Sequence, residues 1–119
     1  MRDLSCSVAE SIDRTANMLG IVLLTEICNG NIRLSGDINA WIRVTSYGDG
    51  YLGNCVDVNS IVINGACCRR GVFTTLMRNL KLVQDVDSIV VSSVCTDAIY
   101  SWCVKNNCSL CGDYTFRYK

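Results

Sequence analysis

Leu4, Val8, Ile12 and Leu19 recur at helical spacing, with Ala9, Ala16 and Met18 beside them and Glu10, Asp13 and Arg14 elsewhere. The pattern predicts a helix from Leu4 to Leu19, started by Asp3 or Ser5 and ended at Gly20. Ile21 to Cys28 is apolar and β-branched enough for a strand or a helix extension, and Asn29-Gly30-Asn31 signals a turn. Ala40 to Tyr47 alternates and reads as a strand; Tyr51 to Ile63 reads as its partner in an antiparallel hairpin around Gly48-Asp49-Gly50. A loop follows from Asn64 to Gly71. Helical spacing returns at Val72, Leu76, Leu80 and Val83, predicting a helix over 72–83 with Arg78 and Lys81 pointing away. Ser88 to Val94 reads as a buried strand. Thr96 or Asp97 caps a helix over about Ala98 to Lys105, and Asn106-Asn107 ends it in the left-handed conformation. Cys108 to Tyr118 closes the chain as a strand, with Tyr114, Phe116 and Tyr118 alternating.

The expected order is therefore helix, strand hairpin, loop, helix, strand, helix, strand. A strand–helix–strand crossover makes a parallel pair. The expected fold is α/β (α+β): a mixed, mostly antiparallel sheet with a central parallel pair and helices on its faces. Its 119 residues are the size of one domain, spanning 1–119.

Charge and composition narrow the choices. Half of the residues are hydrophobic, which excludes a disordered tail. Lys+Arg and Asp+Glu are both 11, and no basic run exists, so no nucleic-acid partner is expected. The first residues lack the apolar run of a signal peptide, and the stretch Met18 to Leu24 is too short to span a bilayer. The expected setting is cytoplasmic, without a membrane partner.

Nine cysteines are present and no histidine, which removes Cys-His and Ser-His pairs and every His-containing metal site. Most of the cysteines lie in apolar runs, so they are expected to be reduced and mainly buried, as in the cytosol. Cys103, Cys108 and Cys111, with Cys95 as a fourth, would suit zinc or redox chemistry. A second CxxC at ribbon spacing is missing, however, and a strand through Cys108 to Cys111 would aim those side chains apart. The expected metal set is none.

The segment richest in chemistry runs from Ile61 to Leu76. A long strand hands over to a turn holding Arg69, Arg70 and Gly71, and a helix starts there. Helix N-terminal amides point outward and carry partial positive charge, so they suit phosphate. Gly71 permits close approach, and the two guanidinium groups would add charge-assisted bonds. The alternative is a solvated turn with two surface arginines.

Ile61-Val62-Ile63-Asn64-Gly65-Ala66-Cys67-Cys68-Arg69-Arg70-Gly71-Val72-Phe73-Thr74-Thr75-Leu76 resembles motif A of the acyl-CoA N-acyltransferase (GNAT) superfamily. Gly71 falls on the family's central glycine and Leu76 on its helix leucine. Cys68 stands where the family prefers Arg or Gln, and Phe73 where it prefers Gly or Ala. Further on, Ala98 matches the second family motif, Trp102 takes its tyrosine position and Asn106 its helix-ending glycine. The resemblance covers roughly the C-terminal two-thirds of the chain. It extends to the short acetyltransferase-like proteins encoded by bacteriophages.

This resemblance implies acetyl-CoA as co-substrate and an amine of a protein or small molecule as acceptor. The coenzyme would contact Val62, Ile63, Arg69, Arg70, Gly71, Val72, Phe73 and Thr74, with the acyl carbonyl accepting an N–H near Val62 or Ile63. Family members use a base for the amine and often a tyrosine as acid for the thiolate. Asp57 is the first candidate for the base, ahead of Glu26, and Tyr100 lies near the position where Trp102 replaces the tyrosine. The alternatives for Asp57 and Tyr100 are an exposed strand carboxylate and a partly buried helix residue. A second implied reading is a GNAT-fold protein that has lost turnover and acts through a protein partner, as a host-regulatory module. The oligomeric state stays open.

Overall fold

The computed structural model describes residues 3–48, 51–65 and 71–118. The elements in chain order are α1 (Leu4–Leu19), β1 (Leu23–Cys28), β2 (Asn31–Gly36), β3 (Ile38–Gly48), β4 (Tyr51–Ile63) and α2 (Val72–Lys81). After them come β5 (Ser88–Ser92), α3 (Asp97–Lys105), β6 (Ser109–Gly112) and β7 (Thr115–Tyr118). The strands form one sheet in the order β1-β2-β3-β4-β5-β7-β6. Only β4 and β5 run parallel among its neighbouring pairs; the rest are antiparallel. This is the mixed α/β architecture expected, with its parallel pair at the centre.

Local chemistry sets the helix ends. The Asp3 carboxylate accepts the Ser5 N–H at 3.0 Å, and Gly20 closes α1 in the left-handed region (φ 65). That ending rules out a helix extension and frees the next residues to form β1. The Thr96 hydroxyl accepts the Ile99 N–H at 3.3 Å to start α3. Helix α2 stops at Lys81 instead of Val83, because the Leu82 N–H turns back to the Arg78 and Asn79 carbonyls at 3.2 Å each. Val83 then packs against the core from the turn.

Two further differences concern strands. The alternating segment Asn31-Ile32-Arg33-Leu34-Ser35-Gly36, absent from the expected order, forms β2 and buries Ile32 and Leu34. The closing segment is a hairpin, not one strand: Tyr114 enters the left-handed region (φ 52) between β6 and β7. The turn at Asp49-Gly50 lies outside the described residues.

All three helices pack on one face of the sheet, not on both. One core cluster joins Val8 and Ile12 of α1, Leu76 and Leu80 of α2, and Ile99 and Cys103 of α3. The same cluster takes in Ile32, Leu34, Ile42, Val56, Val58, Ile89, Val91 and Phe116 of the strands. For α2 and α3 the topology explains this. The crossovers β4-α2-β5 and β5-α3-β6 both advance toward the β6 edge, and crossovers of one hand moving one way place their helices on one side. The opposite face carries Arg33, Trp41, Arg43, Asp57, Asn59 and Ser92, of which Arg33, Trp41 and Arg43 are exposed.

The cysteines divide more evenly than their apolar settings suggest. Cys55 and Cys103 are buried, Cys6, Cys108 and Cys111 are half-buried, and Cys28 and Cys95 are exposed. Cys67 and Cys68 lie outside the described residues. No helix among the described residues is long and apolar enough to cross a membrane.

Candidate functional site

Strands β4 and β5 stay in register from Cys55↔Ser88 to Asn59↔Ser92. Beyond that point they part, each drawn to its other neighbour. The β3–β4 register slips between Asn39/Trp41 and Val62/Asn59, with Ser60 at φ 55, so β4 carries an extra residue opposite Ala40. This bulge keeps Ile61 and Ile63 on the helix-covered side and turns Val62 to the other, where it is 43% exposed. β4 continues along β3 as far as Ile38↔Ile63. On the other side, Ser93 adopts φ 52 and the Val94 N–H donates to the Tyr114 carbonyl at 3.0 Å, which draws the chain toward β7. The Cys95 thiol reaches back across the opening to the Ile61 carbonyl at 3.9 Å.

The opening lies at the carboxyl ends of the two parallel strands, where α2 and α3 both begin. Ligands in open α/β sheets bind in this kind of crevice. Its cavity is about 150 Å³, walled by Ile63 of β4, Gly71 to Thr74 at the start of α2, and Thr96, Ala98, Ile99 and Trp102 around α3. Gly71 sits at φ 70 and has no side chain with which to cap the first amides of α2. A Cβ added there would meet nothing within 4 Å, so among the described residues nothing fills this corner.

Trp102 forms the wall between the helices. Its Nε1–H donates to Thr74 Oγ1 at 2.9 Å, its ring stands edge-on to Phe73 with centroids 4.8 Å apart, and Tyr118 lies 5.2 Å away. The two bulky residues at positions where the resemblance expects smaller or hydroxylated ones are thus packed together on the first turn of α2. In the sequence Trp102 reads only as a departure from the family tyrosine; its partner Thr74 lies 28 residues away on another helix, so spacing carries no signal of the bond.

Of the residues singled out from the sequence, Ile63, Gly71, Val72, Phe73 and Thr74 line this cavity together. Arg69 and Arg70 lie outside the described residues. Asp57 and Tyr100 do not line it. Asp57 sits on the helix-free face, opposite Arg43, and its Oδ1 accepts from Ser92 Oγ at 2.7 Å. Glu26 lies on edge strand β1 opposite Arg33. Tyr100 stands on α3 against Phe116 (5.2 Å) and Tyr114 (6.3 Å), in a separate depression of about 380 Å³ shared with Asp97, Leu110 and Asp113.

Three or more metal-ligating side chains do not converge anywhere among the described residues. The reason is local: Cys95 turns to Ile61, Cys111 turns to the Thr115 carbonyl at 3.7 Å, and only Cys103 and Cys108 stand together. Burial first, then the neighbouring Cys108, pushes the Cys103 thiol up to about 12. Burial also raises Cys108, opposed by the hydrogen bond it receives from Cys103. No protein-family model and no curated protein matches the chain.

Proposed function

We propose that this cleft receives the thioester end of an acyl-coenzyme A, and that the protein is a GNAT-type N-acetyltransferase-like domain acting on an amine of a protein or small molecule. The observation that carries the reading is the parting of β4 and β5 beside a helix that starts on Gly71 without a side-chain cap. The amides of Val72, Phe73 and Thr74 take the pyrophosphate, and Arg69 and Arg70 add charge-assisted bonds to it. The cavity, at about 150 Å³, is below the usual size of a pocket for a whole ligand. It therefore takes the thioester and part of the pantetheine arm, while the nucleotide stays outside.

The acyl carbonyl accepts a backbone N–H near Val62 or Ile63, which polarises it. An amine arriving from the helix-free face attacks the carbonyl carbon; the C–N bond forms, the C–S bond breaks, and the thiolate leaves. Asp57 is the carboxylate that β4 itself presents on that face, and the Ser92 hydroxyl holds it in place. Its part is to accept the amine proton, directly or through water. Tyr100 points into a different depression and is the weaker candidate for the acid that protonates the thiolate.

A second reading is favoured by one specific observation. Trp102 is bonded to Thr74 and stands edge-on to Phe73, so an indole occupies the helix turn where a family tyrosine would face the thiolate. Indole cannot donate a phenolic proton. In that reading the domain binds without turnover and acts through a protein partner.

Calorimetric titration with acetyl-CoA, paired with a thiol assay for released coenzyme A over a panel of amines, separates the two. Binding with thiol release supports the transferase. Binding without release supports the second reading. An absence of both heat and thermal protection removes the acyl-CoA site altogether.

A further inference from the structure

Helix α3 ends in a complete Schellman motif. With Asn106 as its last, half-helical residue, the Asn107 N–H donates to the Val104 carbonyl at 3.2 Å and the Cys108 N–H to the Cys103 carbonyl at 3.0 Å. Asn107 supplies the left-handed residue the motif requires (φ 57). Such a motif normally carries an apolar contact between the residue three before the end and the one two beyond it. Here those two positions are Cys103 and Cys108, so the contact that seals the helix end is made by two thiols.

We propose that Cys103 and Cys108 form a reversible disulfide that staples the end of α3 to the start of β6. The 6→1 backbone bond already closes the chain between them, and both side chains stand on the inner side of the turn, Cys103 buried and Cys108 half-buried. Their difference in accessibility assigns the order of events. Cys108, the more accessible sulfur, gives up its proton and as the thiolate attacks one sulfur of a small-molecule disulfide such as oxidised glutathione. One glutathione thiol leaves. Cys103 then gives up its proton and attacks the Cys108 sulfur, and the second glutathione thiol leaves. The protein loses two protons and two electrons; the reagent gains both.

The pair adjoins Trp102, whose indole holds Thr74 at the cleft, so the bond would stiffen the helix turn that carries that wall. The disulfide itself does not depend on what the cleft binds.

The test equilibrates the whole protein in mixtures of reduced and oxidised glutathione, traps free thiols with N-ethylmaleimide and digests with trypsin. Cleavage after Lys105 separates Cys103 from Cys108, so their fragments stay joined only through sulfur. As oxidised glutathione rises, the protein is expected to lose two of its nine thiols together, and fragment sequencing should place the link at Cys103 and Cys108. Cys108→Ser should abolish the link, while Cys111→Ser and Cys95→Ser keep it. A link that survives Cys108→Ser, a wild-type link through Cys111 or Cys95, or glutathione left attached to Cys108 with no joined fragments would each overturn the proposal. Because sequencing of the wild-type fragments locates the sulfurs directly, the outcome does not hang on the folding of any variant.

Discussion

Gly36 and Gly71 both have positive φ, at 123 and 70; Gly36 ends β2 and Gly71 caps the start of α2. Their surroundings differ completely. A Cβ on Gly36 would stand 2.5 Å from the Val22 carbonyl oxygen, whereas one on Gly71 would meet nothing within 4 Å. The corner at Gly36 is filled by the protein itself. Beside it Asp37 ties three segments: its carboxylate accepts the Val22 N–H at 2.8 Å, its N–H donates to the Val22 carbonyl at 2.8 Å, and its carbonyl accepts the Asn64 N–H at 2.8 Å. Among the described residues nothing fills the corner at Gly71, and no side chain of the N-cap residue bonds the first amides of α2. A glycine in a filled corner serves the fold, and a glycine facing open space is the one on which the proposed ligand site rests.

The contrast can be broken by substitution. Gly36→Ala should give the largest effect, because its Cβ would collide with backbone and cannot be accommodated by a rotamer change. We expect a loss of more than about 2 kcal/mol in denaturant unfolding, with the backbone forced off its conformation. Leu76→Ala, in the core beneath α2, should cost about 2–5 kcal/mol in the same measurement. Gly71→Ala meets only the intrinsic penalty of the left-handed region, about 1–2 kcal/mol, while acetyl-CoA affinity falls by more than that stability loss explains. Equal effects at Gly36 and Gly71 would remove the distinction between the two corners. Thr96→Ala removes the side-chain cap of α3 and should cost about 1 kcal/mol. The smallest effect concerns pH. Cys103 has its folded pKa raised above the ordinary thiol value, so its contribution is intact below about pH 9 and declines as pH climbs toward 12. The melting temperature of Cys103→Ala should therefore fall less steeply over that alkaline window than that of the wild type, measured in reductant.

Much of the fold was legible from local pattern. α1 carried both its caps, Asp3 and Gly20, and an apolar stripe, and its observed bounds are those expected from them. The long strands at Ile38–Gly48 and Tyr51–Ile63 and the helix at Asp97–Lys105 were marked equally well by alternation, turn residues and a capping threonine. β2 was harder to see because it is short and carries Arg33 between its two buried residues; its strand character comes from pairing on both sides. The closing hairpin reads as one strand because Tyr114 keeps the alternation going through the turn, although of the three alternating aromatics Phe116 and Tyr118 pack on the core while Tyr114 is exposed.

The site was legible in part. Ile63 and Gly71 to Thr74 are near neighbours along the chain, so a strand–helix junction brought them together almost by connectivity. Asp57 and Tyr100 could not be placed from spacing, because which side of a sheet a residue faces relative to a cleft depends on bulges and crossovers. The single extra residue at Ser60 reverses the facing of everything after it in β4.

By itself the sequence determined where the chain stiffens into helices and long strands, where it turns, and that a glycine would begin α2, since these follow from side-chain periodicity and backbone preferences acting within a few residues. Tertiary structure decided that all three helices share one face, that β4 and β5 part beyond Asn59 and Ser92, and that Trp102 meets Thr74. These features arise from segments distant in sequence competing for the same sheet edges and the same buried space, a competition that local propensity does not encode.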